Sequence, residues 1–149
     1  EAPKREIRMA VFDEKRKEEV LNLVCLDKNV LKKFPSQLSG GQIQRVVIAI
    51  ALSRDIKILL LDEPTTALDE ENKKNIIDLI NEIKKHLNIL ILFVTHDINS
   101  IQNICKDIII LKNGEIIEKG LTNDILSTPK EDYTKRLINS TFKNKIFRT

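Results

Sequence analysis

The chain reads as an α/β domain built on a parallel sheet, and three observations lead there. The stretches 57–62 (KILLLD) and 89–95 (ILILFVT) are apolar without polar alternation, the pattern of strands covered on both faces. Between them, residues 70–86 place Ile76, Leu79, Ile80 and Ile83, with Leu87 beyond, at helical spacing. Such strands alternate with helical stretches along the chain, as parallel strands joined by crossovers require.

Each element follows from local pattern. Residues 14–25 (EKRKEEVLNLVC) read as a helix with Val20, Leu21, Val24 and Cys25 on one side. LDKNVLKKF is a short helix or turn that ends before Pro35. A helix is expected from about Gly41 to Arg54, then the first strand at 57–62. Asp69 suits the cap of helix 70–86, with Glu70 and Glu71 favourable in its first turn. After the second strand, Asp97 suits the cap of a short helix through Cys105, and 107–112 (DIIILK) is a third strand. Asn113-Gly114 reads as a two-residue hairpin turn into EIIEKG. Two short helices, near 122–127 and 131–140, close the chain.

The chain has 149 residues, 42% hydrophobic and 32% charged, enough for one domain with a core. A net charge of +3 is too small to argue for nucleic acid. The basic runs at 15–17, 32–33, 73–74 and 84–85 are mixed with acids, which reads as solvated helix faces. The longest apolar runs, IKILLL and ILILFV, fall far short of the ~18 residues of a membrane span. The opening EAPKREIR is charged and unlike a signal peptide. Cys25 and Cys105 fit no metal spacing and read as two free, buried thiols of a reducing cytoplasm. No low-complexity segment or internal repeat stands out.

In open α/β sheets, ligands bind beyond the carboxyl ends of the strands. The first strand ends in Asp62-Glu63-Pro64 and the second in Thr95-His96-Asp97. Together these strand ends suit a metal-bound phosphate. One carboxylate can hold Mg²⁺, the other can orient or deprotonate a water, and the imidazole can donate to a phosphate oxygen. The two glycines of LSGGQ (38–42) stand at the mouth of an apolar helix, where glycine costs about 1 kcal/mol against alanine. Their use there is to let something approach the backbone, and a helix start with exposed N–H groups is an anion site.

LSGGQ (38–42), ILLLDEP (58–64), ALD (67–69) and TH (95–96), in this order and at these intervals, resemble the signature motif, Walker B strand, D-loop and His switch of the ATP-binding cassette ATPases. The resemblance runs from about residue 12 to 140. It implies a P-loop NTPase-like parallel sheet flanked by helices, with part of the helical subdomain at about 12–54, the ATPase core at 55–120 and a C-terminal helical extension at 121–149. It implies ATP and Mg²⁺ as cofactors. Asp62 would hold the metal, Glu63 would be the catalytic base and His96 would contact the γ-phosphate. Leu38, Ser39, Gly40, Gly41 and Gln42 would clamp the nucleotide of a partner subunit, and Asp69 would reach across that dimer. FPSQLSGGQIQRVVIAIALSRD, LDEPTTALD and STPKEDYTKRLINS further resemble the oligopeptide, dipeptide and nickel importer group, in which an apolar residue such as Ile50 is favoured. The implied partners are a second nucleotide-binding subunit, transmembrane permease subunits and, indirectly, an extracytoplasmic solute-binding protein, with no nucleic acid. The implied place is the cytoplasmic face of the membrane.

One departure is large. The sequence contains no G-x-x-x-x-G-K-[ST], and its four glycines, Gly40, Gly41, Gly114 and Gly120, lie in no phosphate loop. The chain is therefore expected to be the C-terminal half to two-thirds of a nucleotide-binding subunit. In the family's sheet the phosphate-loop strand lies between the strand ending at His96 and strand 107–112. Without it, those two edges would pair directly, be filled by a second chain, or promote aggregation. Two other classes stay open: a DNA-repair or chromosome-maintenance ATPase, disfavoured by the absence of heptads, and a non-catalytic fragment presenting its signature face to a partner. The 149-residue chain alone is expected to turn over no ATP and to bind it weakly. Micromolar affinity for Mg-ATP in isothermal titration would contradict this.

Overall fold

The structure, a computed structural model, describes residues 14–146. Its elements are α1 (Glu14–Leu23), α2 (Gly40–Leu52), β1 (Ile58–Asp62), α3 (Glu70–His86), β2 (Leu90–Val94), α4 (Ile98–Ile101), β3 (Asp107–Lys112), β4 (Glu115–Leu121), α5 (Thr122–Ser127) and α6 (Asp132–Ile146). Two 3-10 turns, Lys28–Lys32 and Pro35–Gln37, join α1 to α2. The chain divides into two compact units between Val94 and Thr95.

In the first unit, helical spacing decides which side chains are covered. α1 buries Val20 and Leu21, α2 buries Val46, Ile48, Ala49 and Leu52, and α3 buries Ile76, Leu79, Ile80 and Ile83. The three helices pack on one another, and each large apolar side chain so covered contributes about 1.5–3 kcal/mol. Two arginines tie the bundle across its loops: Arg16 Nη2 donates to the Leu52 carbonyl at 3.2 Å and Arg45 Nη1 to the Val24 carbonyl at 3.3 Å. Asp69 caps α3 as expected, its Oδ1 accepting from the Asn72 N–H at 2.8 Å.

β1 and β2 pair in parallel, Ile58 opposite Leu90 through Asp62 opposite Val94. The expectation that both strands are covered on both faces is corrected. Leu59 and Leu61 are buried, while Ile58, Leu60, Leu90, Leu92 and Val94 are 43–64% exposed. Strand side chains alternate between faces, and among the described residues only one face of this ladder is covered. Cys25 is likewise exposed, and Cys105 is partly so. α1 ends at Leu23 and Cys25 has a left-handed φ of 53°, so helical spacing no longer carries it to the face of Val20 and Leu21.

In the second unit, β3 and β4 form the expected antiparallel hairpin, with a register irregularity at Ile110/Leu111. Asn113 and Gly114 turn it with φ of 52° and 82°, both positive as a type I′ turn demands. The helix expected through Cys105 stops at Ile101. Among the described residues each unit has its own two-stranded sheet, β1–β2 parallel in the first and β3–β4 antiparallel in the second. The fold is α/β as expected.

The hairpin holds the C-terminal segment through polar contacts. Glu118 of β4 accepts the backbone N–H groups of Lys130 and Glu131 at 3.0 and 3.2 Å, just ahead of α6. Lys112 of β3 lies 5.0 Å from the ring centre of Tyr133 on α6, a cation–π distance. The Lys130 amide, with the Thr134 hydroxyl beside it, holds the Glu118 carboxyl below the usual glutamate range.

Two outcomes follow. The exposed apolar face of the β1–β2 ladder should make the 149-residue chain self-associate at micromolar concentration. Sedimentation equilibrium should show this and should show a shift toward monomer for Leu60→Lys combined with Leu92→Lys; a monomeric wild-type chain would contradict it. A carboxylate whose folded pKa is lowered stabilises above its unfolded pKa and loses that contribution as pH falls through the folded value. Acid should therefore loosen residues 130–134 before the hairpin itself. Hydrogen-exchange protection of the Lys130 and Glu131 amides, corrected for the intrinsic rate at each pH, should fall in that window, and Glu118→Gln should abolish that pH dependence.

Candidate active site

The site expected at the strand ends begins with Asp62, the last residue of β1, whose side chain is exposed. Glu63 continues the ladder by one bond, its N–H donating to the Val94 carbonyl at 2.9 Å. The chain then leaves the sheet at once. Glu63 has φ 47° and Ala67 φ 63°, left-handed values that cost a non-glycine residue of order 1–3 kcal/mol and cluster at functional sites. The turn is closed by the Thr66 N–H to the Glu63 carbonyl at 3.1 Å. The Thr66 hydroxyl donates to Glu63 Oε2 at 2.7 Å, fixing one carboxylate oxygen. Thr66 lies within LDEPTTALD and carries no motif role there; a hydroxyl three residues after a carboxylate in a turn is the sequence signal for this contact.

The glycine motif stands where expected, at the start of the 13-residue α2. Ser39 is its N-cap: the serine Oγ accepts from the Gln42 N–H at 3.3 Å and Gln42 Oε1 accepts from the Ser39 N–H at 3.1 Å. This reciprocal capping box, worth about 1 kcal/mol for the serine alone, leaves the amides of the first helical residues, Gly40 and Gly41, as the intrinsically unpaired donors of a helix start. The structure also brings this start against the beginning of α3. A Cβ on Gly41 would lie 2.5 Å from Asn72 Oδ1, and one on Gly40 would lie 3.3 Å from Leu68 Cδ2. Gly41 is buried and Gly40 exposed. Leu38 is half-buried beside them in sequence.

Asp69 is therefore close to the glycine motif of its own chain. Both its oxygens are engaged by Asn72, Oδ1 by the backbone N–H and Oδ2 by the side-chain amide, each at 2.8 Å. These contacts hold the Asp69 carboxyl below the usual aspartate range. Asn72, like Thr66, was not singled out from sequence; a polar residue three positions after a capping aspartate was its signal.

His96 belongs to the second unit, two residues after the end of β2, and its side chain is exposed. There the Asp97 N–H donates to Thr95 Oγ1 at 3.0 Å and Ser100 Oγ donates to Asp97 Oδ2 at 2.8 Å, which starts α4.

These residues fit a magnesium nucleotide in their chemistry. Among the described residues no three His, Cys, Asp or Glu side chains cluster as a metal site. Asp62 would offer a cation one carboxylate at the end of β1, and Mg²⁺ is commonly held by one or two carboxylates with water and phosphate oxygens. The bare amides of a helix start suit the phosphates.

Comparison with known proteins gives likenesses in sequence and in fold. The family profile described as ABC transporter matches residues 6–66. Methionine import ATP-binding protein MetN 4 of Oceanobacillus iheyensis is 49% identical over 113 residues, 76% of this chain and 33% of that protein. Methionine import ATP-binding protein MetN of Bacillus subtilis is 43% identical over 124 residues, 83% of this chain and 36% of that protein. The chain thus spans about a third of the length of the curated relatives it matches. Among solved structures, cbiO1 of Clostridium perfringens, part of the ABC transporter complex cbiONQ, superposes with a TM-score of 0.70 at 31% identity, covering 88% of this chain and 51% of that one. The dimeric structure of a bacterial ABC transporter cassette gives 0.61 at 38% identity, covering 72% and 46%. With Ser39 capping the glycine-led α2, Asp62 ending β1 with Glu63 directly after it, and these likenesses in both sequence and fold, the chain belongs to the ATP-binding cassette family of ABC transporters.

Proposed function

We propose that the chain is the signature- and carboxylate-bearing part of an ATP-hydrolysing subunit that drives an importer from the cytoplasmic face of the membrane. The observation that carries this reading is the Glu63 turn. A carboxylate directly after a buried-face strand is held in left-handed backbone, bonded to the β2 end through its N–H and oriented by Thr66. That arrangement suits a general base that must meet a water in one orientation.

In this reading Asp62 holds Mg²⁺, Glu63 takes the proton of the attacking water and His96 donates to the transferred phosphoryl group. Leu38, Ser39, Gly40, Gly41 and Gln42 face the nucleotide of a second subunit, with Asp69 reaching across the same interface. Mg-ATP, when bound, supplies the phosphoryl group whose transfer to water makes the cycle irreversible. Two subunits close across the signature segments and reopen after hydrolysis, moving transmembrane permease partners between their two facing states. Among the described residues no helix is long and apolar enough to cross a membrane, which suits a peripheral subunit. Substrate delivery would fall to an extracytoplasmic binding protein.

The transported solute is best read as methionine or a similar amino acid. The relatives at 43–49% identity carry methionine import in their names, and this outweighs the resemblance to the peptide and nickel group. In the reconstituted full-length importer, ATP turnover should rise with methionine and not with dipeptides or nickel.

Glu63→Gln in the full-length subunit should leave ATP binding intact and slow turnover by the ~10²–10⁴ of a lost acid–base group. A variant turning over at the wild-type rate would remove Glu63 from the role and leave His96 as the better candidate.

A further inference from the structure

Asn72 stands where the starts of α2 and α3 meet, and one side chain serves both. Its Oδ1 lies in the space that a Cβ on Gly41 would need, 2.5 Å away, with its Cγ at 3.1 Å. Its Nδ2 donates to Asp69 Oδ2 at 2.8 Å while its own N–H donates to Asp69 Oδ1 at 2.8 Å. Leu68, the residue before Asp69, fills the space beside Gly40 at 3.3 Å. The glycine start of α2 therefore cannot shift toward α3 without displacing the residue that grips Asp69 by both oxygens.

We infer that Asn72 is a positioning residue that joins Ser39-Gly40-Gly41 to Asp69, so that the two segments move as one body. That both segments face a nucleotide rests on the function proposed above; the linkage between them does not. Three features support the linkage. The Asn72 amide has one end for each segment, with no slack at the Gly41 end. α2 and α3 also pack against one another elsewhere than at this side chain alone, both burying apolar residues. The same two bonds engage both Asp69 oxygens and hold its carboxyl below the usual aspartate range. A change at the signature glycines would thus reach Asp69 through one side chain, with no loop between.

The test uses the full-length subunit and three variants: Asn72→Ala, Gly41→Ala, and both together. Asn72 touches no substrate in this assignment, so Asn72→Ala should lower kcat about tenfold, the scale of one lost hydrogen bond to a charged group, with KM unchanged. Gly41→Ala alone should be at least as damaging, because its methyl meets Asn72 Oδ1. The double variant should be no worse than Asn72→Ala, since the clash is gone, giving a non-additive cycle. A second readout needs no turnover. In the wild type the Gly41 amide resonance should follow the Asp69 titration, identified by its loss in Asp69→Asn, and Asn72→Ala should uncouple the two. An additive cycle, or a Gly41 amide blind to Asp69 in the wild type, would overturn the inference. A wild-type rate in Glu63→Gln would instead overturn the functional reading and leave the amide result standing.

Discussion

The parallel ladder between β1 and β2 is the constraint from which the first unit takes its order. Five residues pair in register, Ile58 with Leu90 through Asp62 with Val94, and the Glu63 N–H adds one bond beyond them. That last bond fixes where the chain must leave the sheet. It has six residues, 63 to 68, before Asp69 caps α3, and the left-handed values at Glu63 and Ala67 are how it reverses in that length. The strain of order 1–3 kcal/mol per residue is offset by the bonds within the turn, of which the Thr66 hydroxyl to Glu63 is the shortest. Ladder, turn and cap thus form one sequence of causes. The carboxylate at its centre is oriented by the fold before any ligand arrives.

Much of this was legible in the residues because the signals were local. Asp69 with Glu70 and Glu71 marks a helix start, Asn113-Gly114 marks a hairpin and Ile76, Leu79, Ile80 and Ile83 mark a buried face; all stand as expected. The failures share a cause, which is that coverage is a tertiary fact. The runs KILLLD and ILILFVT say that their residues are apolar, and cannot say that Leu60 and Leu92 face outward while Leu59 and Leu61 do not. Cys25 was assigned to a buried face by extending helical spacing two residues past the real end of α1. α4 was drawn too long for a related reason. Asp97 does engage Ser100, but Ile101 ends the helix and Ile104 turns back on it through backbone bonds.

At the candidate site the motif residues were legible and their supports were not. Asp62, Glu63, Asp69 and the Ser39 to Gln42 segment stand out by type and spacing. Thr66 and Asn72 do not, because a threonine or asparagine in a turn has many ordinary uses. Only distances reveal that Thr66 holds one oxygen of Glu63 and that Asn72 holds both of Asp69.

The glycine pair carries this furthest. From sequence, both glycines had one explanation, a backbone kept bare for an anion. The structure divides the work between them. Gly41 is buried, and a Cβ there would meet Asn72 Oδ1 of the same chain; an alanine would displace that side chain whether or not a nucleotide ever bound. Gly40 is exposed, and a methyl on it would meet only Leu68, at a tight but yielding 3.3 Å. The claim of close approach from outside therefore rests on Gly40 and on the amide donors of the helix start, while Gly41 serves the packing that aims them. In the function proposed above, the motif thus has two parts: Gly40 open at the helix start, and Gly41 packed on the Asn72 that engages Asp69.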